Sequence, residues 1–536
     1  MEGTKLENYM VRALDLFPDN GLTGRRKITT NVATITSENV RDVLDSALSK
    51  QLVNAGEISY LWDFYRGKQD IRSKKKYVRE NINHKITVNR ANEIVTFKTA
   101  YLLNEPIQYI SHGGEDAVSE KVERLNELMR AEDKESKDKE IVDWMHICGV
   151  AERLILPDAE NDQDGAPFCI YTLDPREAFV IYSARIGERP MAGVVLQVDE
   201  KERQYATVYT KNRVFEVTRE AVREIGAVED EEGGSYGHLL GDVPLVEYEN
   251  NSARMGAFET VIPILNNINR LESDAVDSVQ DFVNGFDVFQ NCEIEDGDYS
   301  QLSLGGKAVK IKTVVQGMEA KVYRVASELN QSGVQQRVDD LTEAYLTICG
   351  MPNRNGGSST SDTGQAVIFR DGWSEAESRA KDTEKLFTRS ERRFLRVALN
   401  ICAARKEGDC QLGLELKDIG VNFARKSLNN LQSRFQCMSE GLGNSFMHPM
   451  DVYNAFGDIF GDKTAAYRRG MAWHTEQEEK RMEALDAEID RERVRAKERT
   501  KSEEQSPTGG DGGRRTSSTA SGHPSPEEKA ARRDSG

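Results

Sequence analysis

The chain has 536 residues, 38% hydrophobic and 30% charged, which is enough apolar material for packed cores and too much length for one. Its 72 Lys and Arg against 90 Asp and Glu leave a net charge of -18. That balance excludes a protein that grips nucleic acid over a broad basic face, but not one that nucleic acid passes.

No run of about 18 apolar residues occurs, and MEGTKLENYM lacks the basic start and apolar core of a secretory signal, so no membrane partner and a cytoplasmic location are expected. From Ser37, Val40, Val43, Leu44, Ala47, Leu48 and Leu52 recur at helical spacing; Ser37 is the expected N-cap and Gly56 the expected stop. A basic run, RSKKKY, spans Arg72 to Tyr77; it could touch phosphate, but, short and isolated in an acidic chain, it reads as a solvated loop. A second helix is expected over Asn89 to Leu103, ended near Pro106, and a third over Val118 to Cys148, whose polar middle AEDKESKDKE should be solvated.

Between Glu152 and Asn250 the period becomes two, in short runs such as RLILPD, EAFVIYS and MAGVVLQVD, which predicts an antiparallel sheet and not a doubly wound nucleotide fold. Helical spacing returns at Phe258, Val261, Leu265, Ile268, Ala275, Val279 and Phe282, and again from Val334 to Ile348. The insert between them carries a strand AVKIKTVV and an expected return strand AKVYRV, joined through QGME. Gly350, followed by Met351 and Pro352, reads as a helix stop. After NRNGGSSTSDTG, with Asp362 and Gln365 as a capping box, apolar residues recur from Ala366 to Ile401 as one long helix with a kink expected at Gly372. Shorter helices are expected near 430–441 and 450–460. The stretch 476–499 is almost wholly charged, and from Lys501 only three alanines are apolar, so the end should be disordered.

Few motifs carry chemistry. LGGKAVK, Leu304 to Lys310, lacks the first glycine and the hydroxyl residue of a phosphate-binding loop, with Gln301 and Ala308 in their places. The seven cysteines and seven histidines show no metal-ligand or disulfide spacing, so no metal and no cofactor is expected. Carboxylate pairs read as solvated surface. Lys310 and Lys312 share one strand face at period two, either as an exposed face or as phosphate contacts. Asn267, Arg270, Asp274, Asp277 and Asp281 read as a water-facing stripe, opposite the apolar one, that would repel phosphates in a closed ring. In the Gly-Ser loop, Asn353, Arg354 and Asn355 are the sizeable polar side chains at the start, and Arg354 its only cation.

Several segments in order, YLWDFYRGKQDI, ITVNRANEIVTFKTAYLLNEPIQY, VPLVEYENNSARMGAFETVIPILNNINRLESDAVDSVQDF, LTEAYLTICGMPNRN and SDTGQAVIFR, resemble the portal proteins of tailed double-stranded DNA bacteriophages of the siphophage type, over about 55–500. Asn104 and Glu105 stand where that family has glycine and lysine before the proline, and Thr363 stands for its serine.

The resemblance implies an α+β, mainly α, portal fold assembled as a ring, about a dodecamer, at one capsid vertex of the virion. Its parts would be an N-terminal arm (1–36), a wing of antiparallel sheet plus helices (37–257), two stem helices (258–282 and 328–350) and a small α/β clip (283–327). A tunnel loop (351–364), a long wing and crown helix (365–410), a helical crown (411–500) and a disordered tail (501–536) would follow. The implied partners are further copies of the chain, double-stranded DNA in the channel, the terminase, the head-tail adaptor, and major capsid and scaffolding proteins. Asn353, Arg354 and Asn355 would face DNA. Asp274, Asp277, Asp281, Lys310 and Lys312 would line the channel. No catalysis is expected. A non-enzymatic cytoplasmic helical scaffold or adaptor is the other reading.

Overall fold

The computed structural model turns the alternating region into two stacked sheets. It describes residues 24–77, 80–112, 116–158, 165–225, 228–229, 235–236, 240–283, 286–293, 312–314, 319, 321–325, 331–353, 372–404, 411–423, 431–444, 446–456 and 463–503. In chain order the elements that build the frame are β1 (Ile28–Thr30), α1 (Val40–Tyr65), α2 (Arg90–Leu102), β2 (Gln108–Ser111), α3 (Asp116–Ala131), α4 (Lys134–Cys148) and β3 (Val150–Pro157). There follow β4 (Phe168–Leu173), β5 (Ala178–Ser183), β6 (Pro190–Val198), β7 (Gln204–Thr210), β8 (Val214–Val217), β9 (Val222–Ile225), β10 (Val228–Glu229), β11 (Ser235–Tyr236) and β12 (Leu245–Glu249).

One sheet has the order β1-β5-β6-β7-β8-β9 and the other β12-β3-β4. The pairing of the strands within 150–250 is antiparallel, and β1, from earlier in the chain, joins β5 in parallel, Ile28 beside Ile181. The parallel pair is possible because the whole of α1 lies between the two strands in sequence. Alternation sends Phe179, Ile181, Val194, Val208 and Phe215 to one face, where Val40, Val43, Leu44, Ala47 and Leu48 of α1 cover them. The other face, with Ala178, Val180, Tyr182 and Val195, packs on Leu154 and Leu245 of the smaller sheet.

Helix α1 corrects two expectations. It begins after Asn39, whose side chain accepts from the Thr36 backbone N–H, and it runs through Gly56 to Tyr65. The residues beyond Gly56 explain why a glycine that disfavours helix by about 1 kcal/mol does not end it: Ile58, Leu61 and Phe64 are all buried. The expected helix 118–148 is two helices, broken where Asp133 takes a left-handed conformation with φ 50°.

Its polar middle is solvated at Ala131, Asp133, Glu135, Ser136, Lys139 and Glu140, but not at two positions. Lys134 and Asp138 are buried in an ion-pair network, because β3 is sandwiched and carries charge on both faces. Ala151, Arg153 and Ile155 face the helices, while Glu152 and Leu154 face the large sheet. On the helical side Arg153 donates to Asp138 at 2.6 Å and approaches Glu391 at 3.4 Å, and Lys134 lies 2.8 Å from Glu391. Tyr109 and Tyr248 each donate to Glu391 at 2.6 Å. Burial opposes ionisation of Glu391, but the Lys134 and Arg153 charges overcome it and hold the carboxyl down at about 2.

On the sheet side Arg254 binds both oxygens of Glu247 and reaches Glu249, which also pairs with Arg389. Tyr182 donates to Glu247 at 3.0 Å. Glu152 sits directly across from Glu247 in the ladder, and no donor reaches its Oε2 among the described residues. With two arginines and two other carboxylates present, the cluster is neutral only if Glu152 keeps its proton. Burial, then the neighbouring Glu247 charge, push the Glu152 carboxyl well above the usual range. A third cluster closes the N-terminal edge: buried Arg25 lies 2.7 Å from Glu259 and 3.0 Å from Glu57, and its carbonyl accepts from Arg254 Nε at 2.8 Å. The reading of carboxylate pairs as surface is thus corrected at Glu57, Asp138, Glu152, Glu247, Glu249, Glu259 and Glu391.

The remaining elements are α5 (Ile262–Val283), β13 (Phe286–Gln290), β14 (Cys292–Glu293), β15 (Lys312–Thr313), β16 (Lys321–Val325), α6 (Gln331–Cys349), α7 (Trp373–Ala404), β17 (Ile419–Asn422), α8 (Leu431–Leu442), α9 (Pro449–Phe456) and α10 (Lys463–Glu503). The expected hairpin through QGME is not the pairing found: β16 pairs with β13 and β15 with β14, antiparallel. The start of the insert, Phe286–Glu293, thus supplies both partner strands. Gly372, with φ +83°, precedes α7 instead of kinking it; the capping box at Asp362 and Gln365 lies outside the described residues. Residues 1–467 and 468–536 form two units, and the described part of the second belongs to α10. Residues 501–503 are its last turn, and the rest of the tail is outside the described residues.

Two isosteric substitutions separate the charge clusters. Glu391→Gln leaves Arg153 and Lys134 undercompensated and is expected to cost about 3–5 kcal/mol in urea unfolding. Glu152→Gln removes only a proton-bearing group and should stay within about 1 kcal/mol of the parent at neutral pH. Because the folded pKa of Glu152 is raised, its contribution is present at low pH and is lost as pH rises toward that pKa. The parent should therefore lose stability faster than Glu152→Gln as pH rises above the unfolded value of 4.5.

Candidate functional site

Helices α5 and α6 pack together and share one anchored end. Ile262, Leu265 and Ile268 of α5 and Val338, Tyr345, Leu346 and Cys349 of α6 are buried in a core with Phe64, Ile94, Val95 and Phe258, Phe64 stacking on Phe258 at 5.8 Å between ring centres. Farther along α5, Val276 and Val279 are 38% and 42% exposed. The apolar stripe legible in the sequence is therefore covered at its base and bare beyond it.

A polar face of α5 is covered instead. Asn269, Ser273 and Asp277 are buried, four residues apart on one face. Their side chains accept from the backbone N–H groups of Val88 at 2.8 Å, Ile86 at 2.9 Å and His84 at 2.7 Å. Four residues of helix rise about 6 Å and two residues of extended chain about 6.6 Å, so the periods match over three rungs. The helix face thus substitutes for a neighbouring strand and satisfies alternate donors of an extended segment. At the far rung Asp277 also holds Lys74 at 2.9 Å, Lys76 at 3.6 Å and His84 Nδ1 at 2.8 Å. Burial opposes ionisation of Asp277, yet the His84 N–H, Lys74 and the His84 ring hold its carboxyl at about 2.

This arrangement absorbs two charge motifs. The run RSKKKY, read as a solvated loop, gives Lys74 to Asp274 at 2.7 Å and to Asp277, while Arg72, Ser73, Lys75 and Tyr77 are exposed along it. Asp277, read as water-facing, has a side chain 3% exposed. The stripe Asn267-Arg270-Asp274-Asp277-Asp281 is thereby corrected: Asp277 belongs to the buried row with Asn269 and Ser273, while Asp274 is half exposed and lies 3.8 Å from Arg270. Asp281 is on α5 near its end. The signal for the buried row was the i, i+4, i+8 spacing of Asn, Ser and Asp, which the acidic residues one turn away obscured.

At the other end, Gly350 terminates α6 with φ +65°, and the Met351 N–H bonds the Leu346 carbonyl at 2.8 Å. Arg379 of α7 donates to the Ile348 carbonyl at 2.9 Å, a cation on the last turn of the helix. The left-handed φ of Gly350 favours glycine, and a Cβ there would also lie 2.4 Å from Arg379 Cδ and displace that side chain. Gly372 lies close to Met351 and Pro352, where an added Cβ would come 3.8 Å from the Met351 carbonyl oxygen. Both ends of the Gly-Ser loop therefore leave one fixed point. Asn353, half-buried, is at its start, and Arg354 and Asn355 lie outside the described residues. Lys312 is on β15 and Lys310 lies outside the described residues, so the structure does not bring these lysines and the loop residues into one described group.

Among the described residues no group of three or more His, Cys, Asp or Glu could hold a metal ion. The buried titratable groups act structurally: burial, then the nearby Lys98 charge, push His146 down to about 3, and its Nδ1 lies 3.1 Å from Thr99 Oγ1. LGGKAVK lies outside the described residues. No helix among the described residues is long and apolar enough to cross a membrane.

A family model described as phage portal protein, SPP1 Gp6-like, matches residues 48–443. No curated protein matches the chain.

The rungs on α5 make a prediction for hydrogen exchange. Ser273→Ala should speed exchange of the Ile86 amide by roughly 5- to 30-fold, as expected for loss of about 1–2 kcal/mol of local bonding, with amides at Leu265 and Ile268 unchanged. The folded pKa of Asp277 is depressed, so its contribution is full above the unfolded value of 3.8 and is lost as pH falls toward about 2. Acid in that window should release the His84 and Ile86 amides, and Asp277→Asn should remove the pH dependence.

Proposed function

The chain belongs to the phage portal protein family, SPP1 Gp6-like, and from that premise we propose that it forms a ring of about a dozen copies at one capsid vertex, through which double-stranded DNA enters during packaging and leaves on ejection. The terminase docks on the ring first and the head-tail adaptor later, while major capsid and scaffolding proteins surround it. The ring is a conduit and not an enzyme. In this reading α5 and α6 are the stem, 283–327 the clip, 351–364 the tunnel loop, the two sheets and α1 to α4 the wing, and the helices from α7 onward wing and crown.

The observation that carries the ring is the bare apolar stretch of α5. Val276 and Val279 are exposed on a helix whose base is rigidly buried, and a rotationally related copy can cover them without disturbing the base. A net charge of -18 per copy keeps such a ring from holding DNA tightly. With Asp277 engaged by Lys74 and His84, the lining falls to Asp274, Asp281, Lys310 and Lys312, and the loop residues Asn353, Arg354 and Asn355 face DNA from the fixed point beside Gly350.

Light scattering on the purified protein should give the mass of a ring of about a dozen subunits, and negative-stain images a central hole. Val279→Asp should lower the mass toward monomer with the helical circular dichroism retained. A parent that stays monomeric at high concentration, or a Val279→Asp variant that still forms rings, contradicts the reading. Arg354→Ala should leave rings intact and reduce the length of DNA packaged or retained, with the difference from the parent largest at low salt and shrinking as salt is raised.

A further inference from the structure

Helix α10 is long, lies beyond the matched segment and has almost no covered face: nearly every residue described from Met471 to Arg495 is exposed. It is too charged to form a core, yet Met471, Met482, Leu485 and Ile489 are 40%, 59%, 49% and 41% exposed. These four fall on alternate spacings of four and three residues when Thr475 and Glu478 are counted between them, the period of a coiled-coil seam and not of a globular face. Trp473 and Val494 lie on the opposite side, three heptads apart, and form no second stripe.

The charges beside the seam say what covers it. In a parallel, in-register pair, a residue before each seam position of one helix meets the residue five places on in the other. The pairs so formed are His474 with Glu479, Arg481 with Asp486 and Glu488 with Arg493, each a cation or histidine facing a carboxylate. Residues five apart do not meet on one helix, and Arg481, Asp486 and Glu488 make no ion pair within α10 among the described residues. Antiparallel pairing about Leu485 would instead bring two copies of Asp486 together.

We propose that α10 associates in parallel and in register with α10 of a second copy through Met482, Leu485 and Ile489. Glu478 and Glu492 bracket these three residues, so the seam is short, and it forms because the ring holds copies side by side at high effective concentration. The inference rests on the ring reading in that respect. A cyclic ring presents equivalent helices in the same sense, and the seam, in which the same residues face each other, then joins these helices two by two.

The full chain carrying Leu485→Cys, treated with a bismaleimide spanning about 10 Å, the usual separation of packed helices, should give covalent dimers linked at residue 485, above the background from the native cysteines. Arg481→Glu should lower the yield roughly three- to ten-fold by replacing attraction with repulsion, and Arg481→Glu with Asp486→Arg should restore it. Light scattering on the same samples reads the ring separately. Rings without the 485 link, or a link indifferent to the charge swaps, overturn this inference and leave the ring standing. Monomers overturn the ring reading, and monomers without the link overturn both. Cross-links that join Cys placed at 471 to Cys placed at 499, in preference to 471 with 471, show an antiparallel pair about Leu485 and also overturn it.

Discussion

Charge balance in the interior of the small three-stranded sheet is the constraint on which the rest of the structure depends. Strand β3 places Arg153 on one face and Glu152 on the other, and neither can be left alone in a dry interior, where an uncompensated ion costs several kcal/mol. Arg153 draws Asp138 from α4 and Glu391 from α7, and Glu391 in turn draws Lys134, Tyr109 and Tyr248. Glu152 shares its site with Glu247, Arg254 and Tyr182 and stays uncharged. Arg254 then ties the loop after β12 to Arg25 in the first described strand region, and Arg25 ties both to Glu57 of α1 and Glu259 at the entry to α5. The sets around Arg153 and Arg254 are each neutral, and Arg26 beside Glu57 balances the set around Arg25, so no charged member can be withdrawn without charging the rest.

That interlock fixes where α5 starts and how it is aimed. Its first turns are held by Glu259 and by the core around Phe258, its middle is laced to residues 84–88 by three side-chain rungs, and only its distal apolar residues remain unpartnered. The same rigidity serves the Gly-Ser loop, whose two ends meet beside Gly350 under Arg379. Stable parts thus hold open parts in place: the surfaces left uncovered are defined by what the interior does not use.

Much of this was legible in the sequence, and the omissions share a cause. Apolar periodicity located α2, the strands of the sheets, α5 and α6, and the Gly350-Met351-Pro352 stop, because burial of an apolar face leaves a local repeat. Family resemblance followed from segments whose order is specific. Buried charges left no such mark: Glu391 and Arg153 are 238 residues apart, and nothing beside Lys134 or Asp138 distinguishes them from surface residues. Gly56 misled because the apolar residues after it outweigh its propensity, and Asp277 because its partners are in RSKKKY and at His84, far along the chain. The strand partners of the insert were missed for the same reason, since Lys321–Val325 pairs with Phe286–Gln290 across the insert and not with its nearest neighbour.

The account turns on the claim that the bare stretch of α5 is an interface between copies held by a rigid base. Carbene footprinting of assembled and dissociated protein measures this directly. Val276 and Val279 should lose most of their labelling on assembly, while the base residues Leu265 and Ile268 stay unlabelled in both states. Equal labelling of Val276 and Val279 in the two states, or labelling of Leu265 on dissociation, would contradict it.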